Sequence, residues 1–237
     1  MRIKFKFRWI PFFAATLVAL LGIVLGQWQT RRGDEKQAIE NRIALRESAP
    51  ALVLGPVAVP LDAIEYAKVT VRGSFNADWP LFLDNRPQNG QAGFYVLMPL
   101  QIDGSTQHVL VERGWVARNL ADRAALPALI TPTGVIEIEG LVKRDVGHVM
   151  QLGTAPALSP GAILQNVTPT DIAAASHLAF LPYVLEQHSA LADGLVRDWP
   201  RPSLGIDKHR GYAFQWYGLA LTALLFFLVT GWRRGST

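Results

Sequence analysis

The chain has 237 residues, half of them apolar, 18% charged and none cysteine, with a formal net charge of +4 and a pI near 9.6. Absence of cysteine excludes a disulfide framework, thiolate-held zinc or iron–sulfur centres and a Cys nucleophile. The length allows one or two domains with a real core, while the low charged fraction and mean hydropathy of +0.18 direct the search to membrane segments.

The charges are unevenly placed. Arg2, Lys4, Lys6 and Arg8 precede the first long apolar stretch, and Arg233 and Arg234 follow the second, with no acid at either end. Residues 31–210 hold 17 basic and 19 acidic residues, so the body is slightly acidic. No basic stripe with interleaved aromatics runs through it, which argues against nucleic acid as a partner.

Residues 9–30 and 211–232 are each 22 residues without a charge, and about 20 suffice for a helix to cross the hydrocarbon. Trp9 and Trp28 bracket the first and Trp216 and Trp232 the second, where an aromatic belt would stand. The apolar run is too long for a signal peptide and lacks a small-residue cleavage site before Arg31, so an uncleaved anchor is expected. The sequence therefore predicts a tail over 1–8, a membrane helix over 9–30, a body over 31–210, a second membrane helix over 211–232 and a tail over 233–237. No Arg/Ser-rich transit segment precedes the first span, which favours a bacterial protein. Orientation is tied on local charge, because Arg31, Arg32, Lys36 and Arg42 balance the basic start. The cysteine-free body leans the reading toward both termini in the cytoplasm and the body outside.

In chain order, residues 31–48 continue the first helix into water, and Pro50, Pro56 and Pro60 break it. From Tyr66 the period becomes two: Ala67, Val69, Val71 and Gly73 alternate with Lys68, Thr70 and Arg72. Further strands are predicted over 81–83, 93–102, 107–115, 135–142 and 183–186. Asp103-Gly104 forms a hairpin turn and 87–90 a looser one. A short helix is expected over 170–178, capped by Thr170 or Asp171, and the Pro/Gly-rich stretches 153–161 and 200–205 read as irregular. The fold class is an α+β membrane protein: two terminal transmembrane helices flanking one mainly antiparallel β domain with short helices.

No P-loop, dinucleotide fingerprint, nucleophile elbow or zincin motif is present. The carboxylates are scattered beside basic residues and read as a solvated surface. His108, His148, His177 and His188 have no second ligand at metal spacing. His209 stands apart, two residues before the second apolar stretch, with Tyr212, Ala213 and Trp216 at i+3, i+4 and i+7. Two readings stay open there. A neutral imidazole over an aromatic stripe suits haem iron, with Trp216 packed on the macrocycle and Arg31, Arg32, Lys208 and Arg210 pairing its propionates. The same residue types also make a plain interfacial anchor.

The ordered motifs make the chain resemble the Surfeit-locus family of cytochrome c oxidase assembly factors. They are Gly26-Gln-Trp28-Gln29 with Arg32 and Lys36; Leu83-Asp-Asn85-Arg86 with Gly90 and Gly93; Met98-Pro99-Leu100; and Val111-Glu-Arg113-Gly114-Trp115. Ile138-Glu-Gly140, the stretch from Gln165-Asn166 to Leu181-Pro182, and His209-Arg-Gly-Tyr212-Ala-Phe-Gln-Trp216-Tyr-Gly218 complete the series. The resemblance implies a bacterial inner-membrane protein with both termini cytoplasmic and a periplasmic body. It implies a non-enzyme that binds haem a at the membrane interface and assists its delivery to the catalytic subunit of a haem-copper oxidase. Haem a synthase, the oxidase subunit and the lipid bilayer are then its partners. The alternative is a scaffold that stabilises the nascent subunit without touching haem.

His209 and Trp216 match the family's proposed haem histidine and the tryptophan seven residues on; Tyr212 and Arg210 join them as candidate contacts. Two departures occur: Lys208 precedes the histidine, and Glu112 precedes the Arg-Gly-Trp motif, where the family often has asparagine. For Trp28, Arg32, Asn85, Arg86, Gly114 and Trp115 the expected roles are structural, with Arg86 pairing locally with Asp84 and with Arg32 and Lys36 meeting lipid headgroups.

Overall fold

A computed structural model describes residues 3–5, 7–119, 121–122, 125–151, 153–200 and 205–234. Residues 201–204 of the expected irregular stretch, and 1, 2, 6 and 235–237 of the expected tails, lie outside it. Two compact units result: Met1–Arg42 with Arg201–Thr237, and Ile43–Pro200.

The elements in chain order are β1 (Ile3–Phe5), α1 (Trp9–Ser48), β2 (Leu52–Val53), α2 (Leu61–Ile64), β3 (Lys68–Phe75), β4 (Leu81–Leu83) and β5 (Gly93–Ile102). They continue as β6 (Gln107–Ala117), β7 (Ile136–Lys143), β8 (Ile163–Leu164), α3 (Pro169–Ser176), β9 (Ala179–Gln187), α4 (Ile206–Gly231) and β10 (Trp232–Arg234).

The first unit is a helix pair. Both helices are long and apolar enough to cross a membrane. α1 does not stop at the charged boundary after Thr30: Glu35, Lys36, Gln37 and Glu40 are helix formers, and the 40-residue helix is about 60 Å long. That is about twice the hydrocarbon thickness, so α1 is about twice as long as one crossing requires. Pro11 sits in its first turn, where the missing N–H breaks no internal bond.

The buried positions of α1 are Ala19, Gly22, Gly26 and Gly33. A Cβ on Gly22 would stand 2.8 Å from the Trp216 carbonyl oxygen, and one on Gly26 would stand 2.6 Å from the Tyr217 ring. Lipid supplies little drive for two apolar helices to associate, so close backbone approach over small residues holds them together. At the opposite end of the pair Phe12 packs against Phe227, ring centroids 5.6 Å apart. There β1 pairs antiparallel with β10.

The second unit is a barrel. Its sheet runs β2-β3-β7-β9-β6-β5-β4-β8, and a further β3–β5 pairing closes five strands, β3-β7-β9-β6-β5, into a ring. All ring pairs are antiparallel except β6 with β9. β3 alternates as its period-two sequence requires, with Val69, Val71 and Gly73 buried and Arg72 exposed. Val69, Val71, Leu100, Val109, Val111, Ile138, Val142 and Leu185 form the core to which all five ring strands contribute. Burying each such side chain contributes about 1.5–3 kcal/mol.

The other face of β5, β6 and β9 is covered as well: Leu97, Leu110 and Val184 pack with Ile172 of α3, Val167 and Leu164. β5 and β6 therefore run buried almost end to end. The helix starts earlier than its sequence suggests. Thr168 is the cap, its hydroxyl accepting from the Asp171 N–H while the Asp171 carboxylate accepts from the Thr168 N–H. Pro169 fills the first helical position, where its fixed φ suits the turn. The turn at 88–91 is tighter than expected, a two-residue hairpin with Asn89 and Gly90 both at positive φ.

Candidate functional site

The stripe Gly22, Gly26, Gln29 and Gly33 follows helical spacing i, i+4, i+7, i+11, so one face of α1 presents Gln29 among small residues. His209 lies in the first turn of α4, half-buried. A Cβ on Gly33 would sit 3.7 Å from the His209 Cβ, so the histidine rests over the glycine. Its Nδ1 stands 2.7 Å from Oε1 of Gln29, and because an amide oxygen only accepts, this pairing places the proton on Nδ1. The neutral ring then carries its lone pair on Nε2, the form that ligates a metal.

Around it, Arg210 donates to Gln37 at 3.4 Å and remains exposed, and Lys208 is exposed. Trp216 is half-buried, while Tyr212 and Trp28 are each about half exposed. Arg32 is occupied by Glu35 at 2.9 Å, an exposed pair of little energetic weight. Among the described residues no group of three or more His, Cys, Asp or Glu side chains could hold a metal ion. A single neutral imidazole flanked by aromatics and cations fits an iron already held by a macrocycle, because the ring supplies the remaining donors.

Asn85, Arg86, Gly114 and Trp115 gather in the barrel unit and serve its construction. On β5–β6 the register shifts so that Leu97 faces Glu112 and Val96 faces Gly114, leaving Arg113 as the extra residue of a bulge. The bulge turns Arg113 inward to Asp193 at 2.8 Å, both side chains at or below 1% exposure. Gly114 has φ 154°, and a Cβ there would meet the Leu195 Cβ at 2.8 Å, so only glycine fits. Trp115 lies across Gly93, whose Cβ would meet the indole at 2.3 Å, and its Nε1–H donates to the Arg86 carbonyl at 2.7 Å.

Asn85 adopts φ 59°, a left-handed conformation that asparagine tolerates. Arg86 does not pair with Asp84, which binds Arg118 at 2.5 Å instead. Its guanidinium donates to the Gly147 carbonyl at 2.8 Å, and its Nη1 has no hydrogen-bond partner among the described residues.

One cluster departs from the solvated surface expected of the carboxylates. Lys143 bridges Glu112 at 3.3 Å and Glu186 at 2.8 Å, and the Glu186 carboxylate also contacts His188 Nε2 at 3.0 Å. Glu112 is wholly buried. Burial, reinforced by Glu186, lifts its carboxyl to about 7 against the pull of Lys143 and Arg86. Burial opposes the charge on Glu186 too, but the His188 contact and Lys143 outweigh it and hold that carboxyl low. Burial likewise opposes the Lys143 charge, and the two carboxylates outweigh it and raise its pKa.

In the sequence Gln29 and Glu112 stand out only as motif positions, and neither they nor Lys143 and Glu186 carry an expected role. The signal for Glu112 was phase, since it falls on the same strand face as buried Leu110. For Gln29 the signal was its place on the glycine stripe.

The SURF1 family model matches residues 16–221. The cytochrome oxidase assembly protein SHY1 of Saccharomyces cerevisiae is 30% identical over 105 residues, 41% of this chain and 26% of the yeast protein. Surfeit locus protein 1 of Arabidopsis thaliana is 28% identical over 212 residues, 84% of this chain and 54% of that protein. A SURF1-like protein of Rickettsia bellii is 25% identical over 226 residues, 87% of this chain and 85% of that one. The alignments thus span about a quarter of the yeast protein and about half of the plant one. With the family model matching most of its length, the chain belongs to the SURF1 family.

Proposed function

We propose that this chain is a membrane-anchored cytochrome oxidase assembly factor that receives haem a at His209 and helps deliver it to the oxidase catalytic subunit. The name of the yeast relative, a cytochrome oxidase assembly protein, supports the oxidase half of this reading. The haem half rests on one observation: His209, at the mouth of an apolar helix pair, meets Gln29 through Nδ1, which leaves Nε2 as the nitrogen available to a ligand among the described residues. Haem a is cargo here rather than a reagent, so the chain acts as a carrier and not an enzyme. Trp216 and Tyr212 offer apolar faces to a planar ligand, and Arg210, Lys208 and Arg31 offer charge to its carboxylates. Haem a synthase is the supplier in this scheme.

Its membrane is the bacterial inner membrane, with both termini in the cytoplasm and the barrel in the periplasm. Two spans return the chain to the side it started from, and the β1–β10 pairing keeps both ends together; with local charge tied, placing that side inside rests on the family resemblance.

Protein made in detergent-soluble form beside the haem a biosynthetic enzymes is expected to carry a pigment with a Soret band. His209→Ala should lose most of it, and a mutant that keeps its pigment removes His209 from the scheme. A second reading, a scaffold that holds the nascent oxidase subunit without haem, is favoured by one observation. Asn85, Arg86, Gly114 and Trp115 are all engaged in building the barrel. Capture of the oxidase subunit from haem-a-depleted membranes by a colourless protein would support that reading.

A further inference from the structure

We infer that Gln29 is a positioning residue for His209: it fixes the imidazole with its proton on Nδ1 and so presents Nε2 as the nitrogen that binds iron. This inference rests on the haem reading above. A neutral imidazole otherwise exchanges between two tautomers, and in one of them Nε2 carries the proton and cannot ligate. The Gln29 oxygen can only accept, and at 2.7 Å it accepts from Nδ1–H. The backbone fixes both partners. Gln29 and Gly33 are one helical turn apart on the buried face of α1, and Gly33 leaves room for the His209 Cβ.

The choice of an amide has a chemical consequence. A carboxylate at this position would stabilise imidazolium, which has no free lone pair, and would strengthen the bond to iron. An amide orients the ring without adding charge, which suits a ligand that must later let its cargo go.

The test uses the full chain in detergent at about pH 8, with nitrogen-15-labelled histidine and His209→Ala to assign the signal. In the haem-free wild type the His209 resonances should show Nδ1 protonated and Nε2 bare. Gln29→Leu should show both tautomers. On titration with ferric haem a, Gln29→Leu should bind roughly ten- to hundredfold more weakly. Gln29→Glu should restore affinity and lower the iron's midpoint potential below that of the wild type. If Gln29→Leu fails to fold, Gln29→Met keeps the side-chain length without the acceptor and takes its place.

A Gln29→Leu protein with unchanged tautomer and unchanged affinity overturns the inference. The two readings fail separately. A wild type that binds no haem, with a tautomer that still responds to residue 29, removes the iron-binding role and leaves the hold on His209. A wild type that binds haem as tightly as Gln29→Leu removes Gln29 and leaves the haem site.

Discussion

Glu112→Gln isolates the effect of burying a carboxyl in the barrel wall. In the folded protein that carboxyl titrates at about 7 against an ordinary value of 4.5. Because the folded state holds the proton more tightly than the unfolded chain, the stabilisation is fully present below pH 4.5 and is lost as pH rises through about 7. The shift corresponds to roughly 3 kcal/mol in all, of which about 2–3 kcal/mol falls between about pH 5 and pH 8. Glu186, held low, is already ionised across this window, and Lys143, raised, stays charged, so neither adds a slope there. Glutamine keeps an oxygen for Lys143 and removes the titration.

For a unit of this size, about 2–3 kcal/mol corresponds to roughly 4–12 °C in Tm. Thermal unfolding of the full chain in detergent, followed by circular dichroism, should therefore show the wild type losing more Tm than Glu112→Gln by about that amount between pH 5 and 8. Glu139→Gln, at a half-exposed strand position 3.7 Å from Lys68, serves as the control and should follow the wild type. Parallel pH profiles for wild type and Glu112→Gln would refute the reasoning.

Asp193→Asn leaves the Arg113 guanidinium buried without its counter-charge, and denaturant unfolding should register a loss of about 3–5 kcal/mol. Thr168→Ala removes one half of the reciprocal cap of α3 and should lower stability by about 1 kcal/mol in the same assay. Gly22→Val drives a side chain into the Trp216 carbonyl and should separate α1 from α4, read as faster proteolysis of the detergent-solubilised helix pair. Gly33→Ala meets the His209 Cβ only at ordinary contact distance and should leave proteolysis unchanged.

The basic pI with which the chain presents itself has a local origin, acid-free basic ends around two apolar stretches, and that much the sequence determined alone. Hydropathy and charge act over one helix length, so both spans and the extension of α1 to Ser48 were legible. The strands at 81–83 and 93–102 were legible for the same reason, since period and turn residues are local signals. β9 was read four residues short at its start, because Ala179–Pro182 lacks a clean alternation. The cap of α3 was misplaced because Thr168 and Thr170 differ in sequence only by which one stands before the proline.

Tertiary structure decided the rest. Closure of β3 on β5 and the parallel pairing of β6 with β9 cover strands on both faces, and no period in a single strand announces its neighbours. Glu112 and Lys143 are 31 residues apart, Lys143 and Glu186 are 43 apart, and His209 and Gln29 are 180 apart. Beside its own chain neighbours none of these groups announces its partner. Only packing brings the partners together: burial is what lifts the Glu112 carboxyl, and the contact with Gln29 is what orients His209.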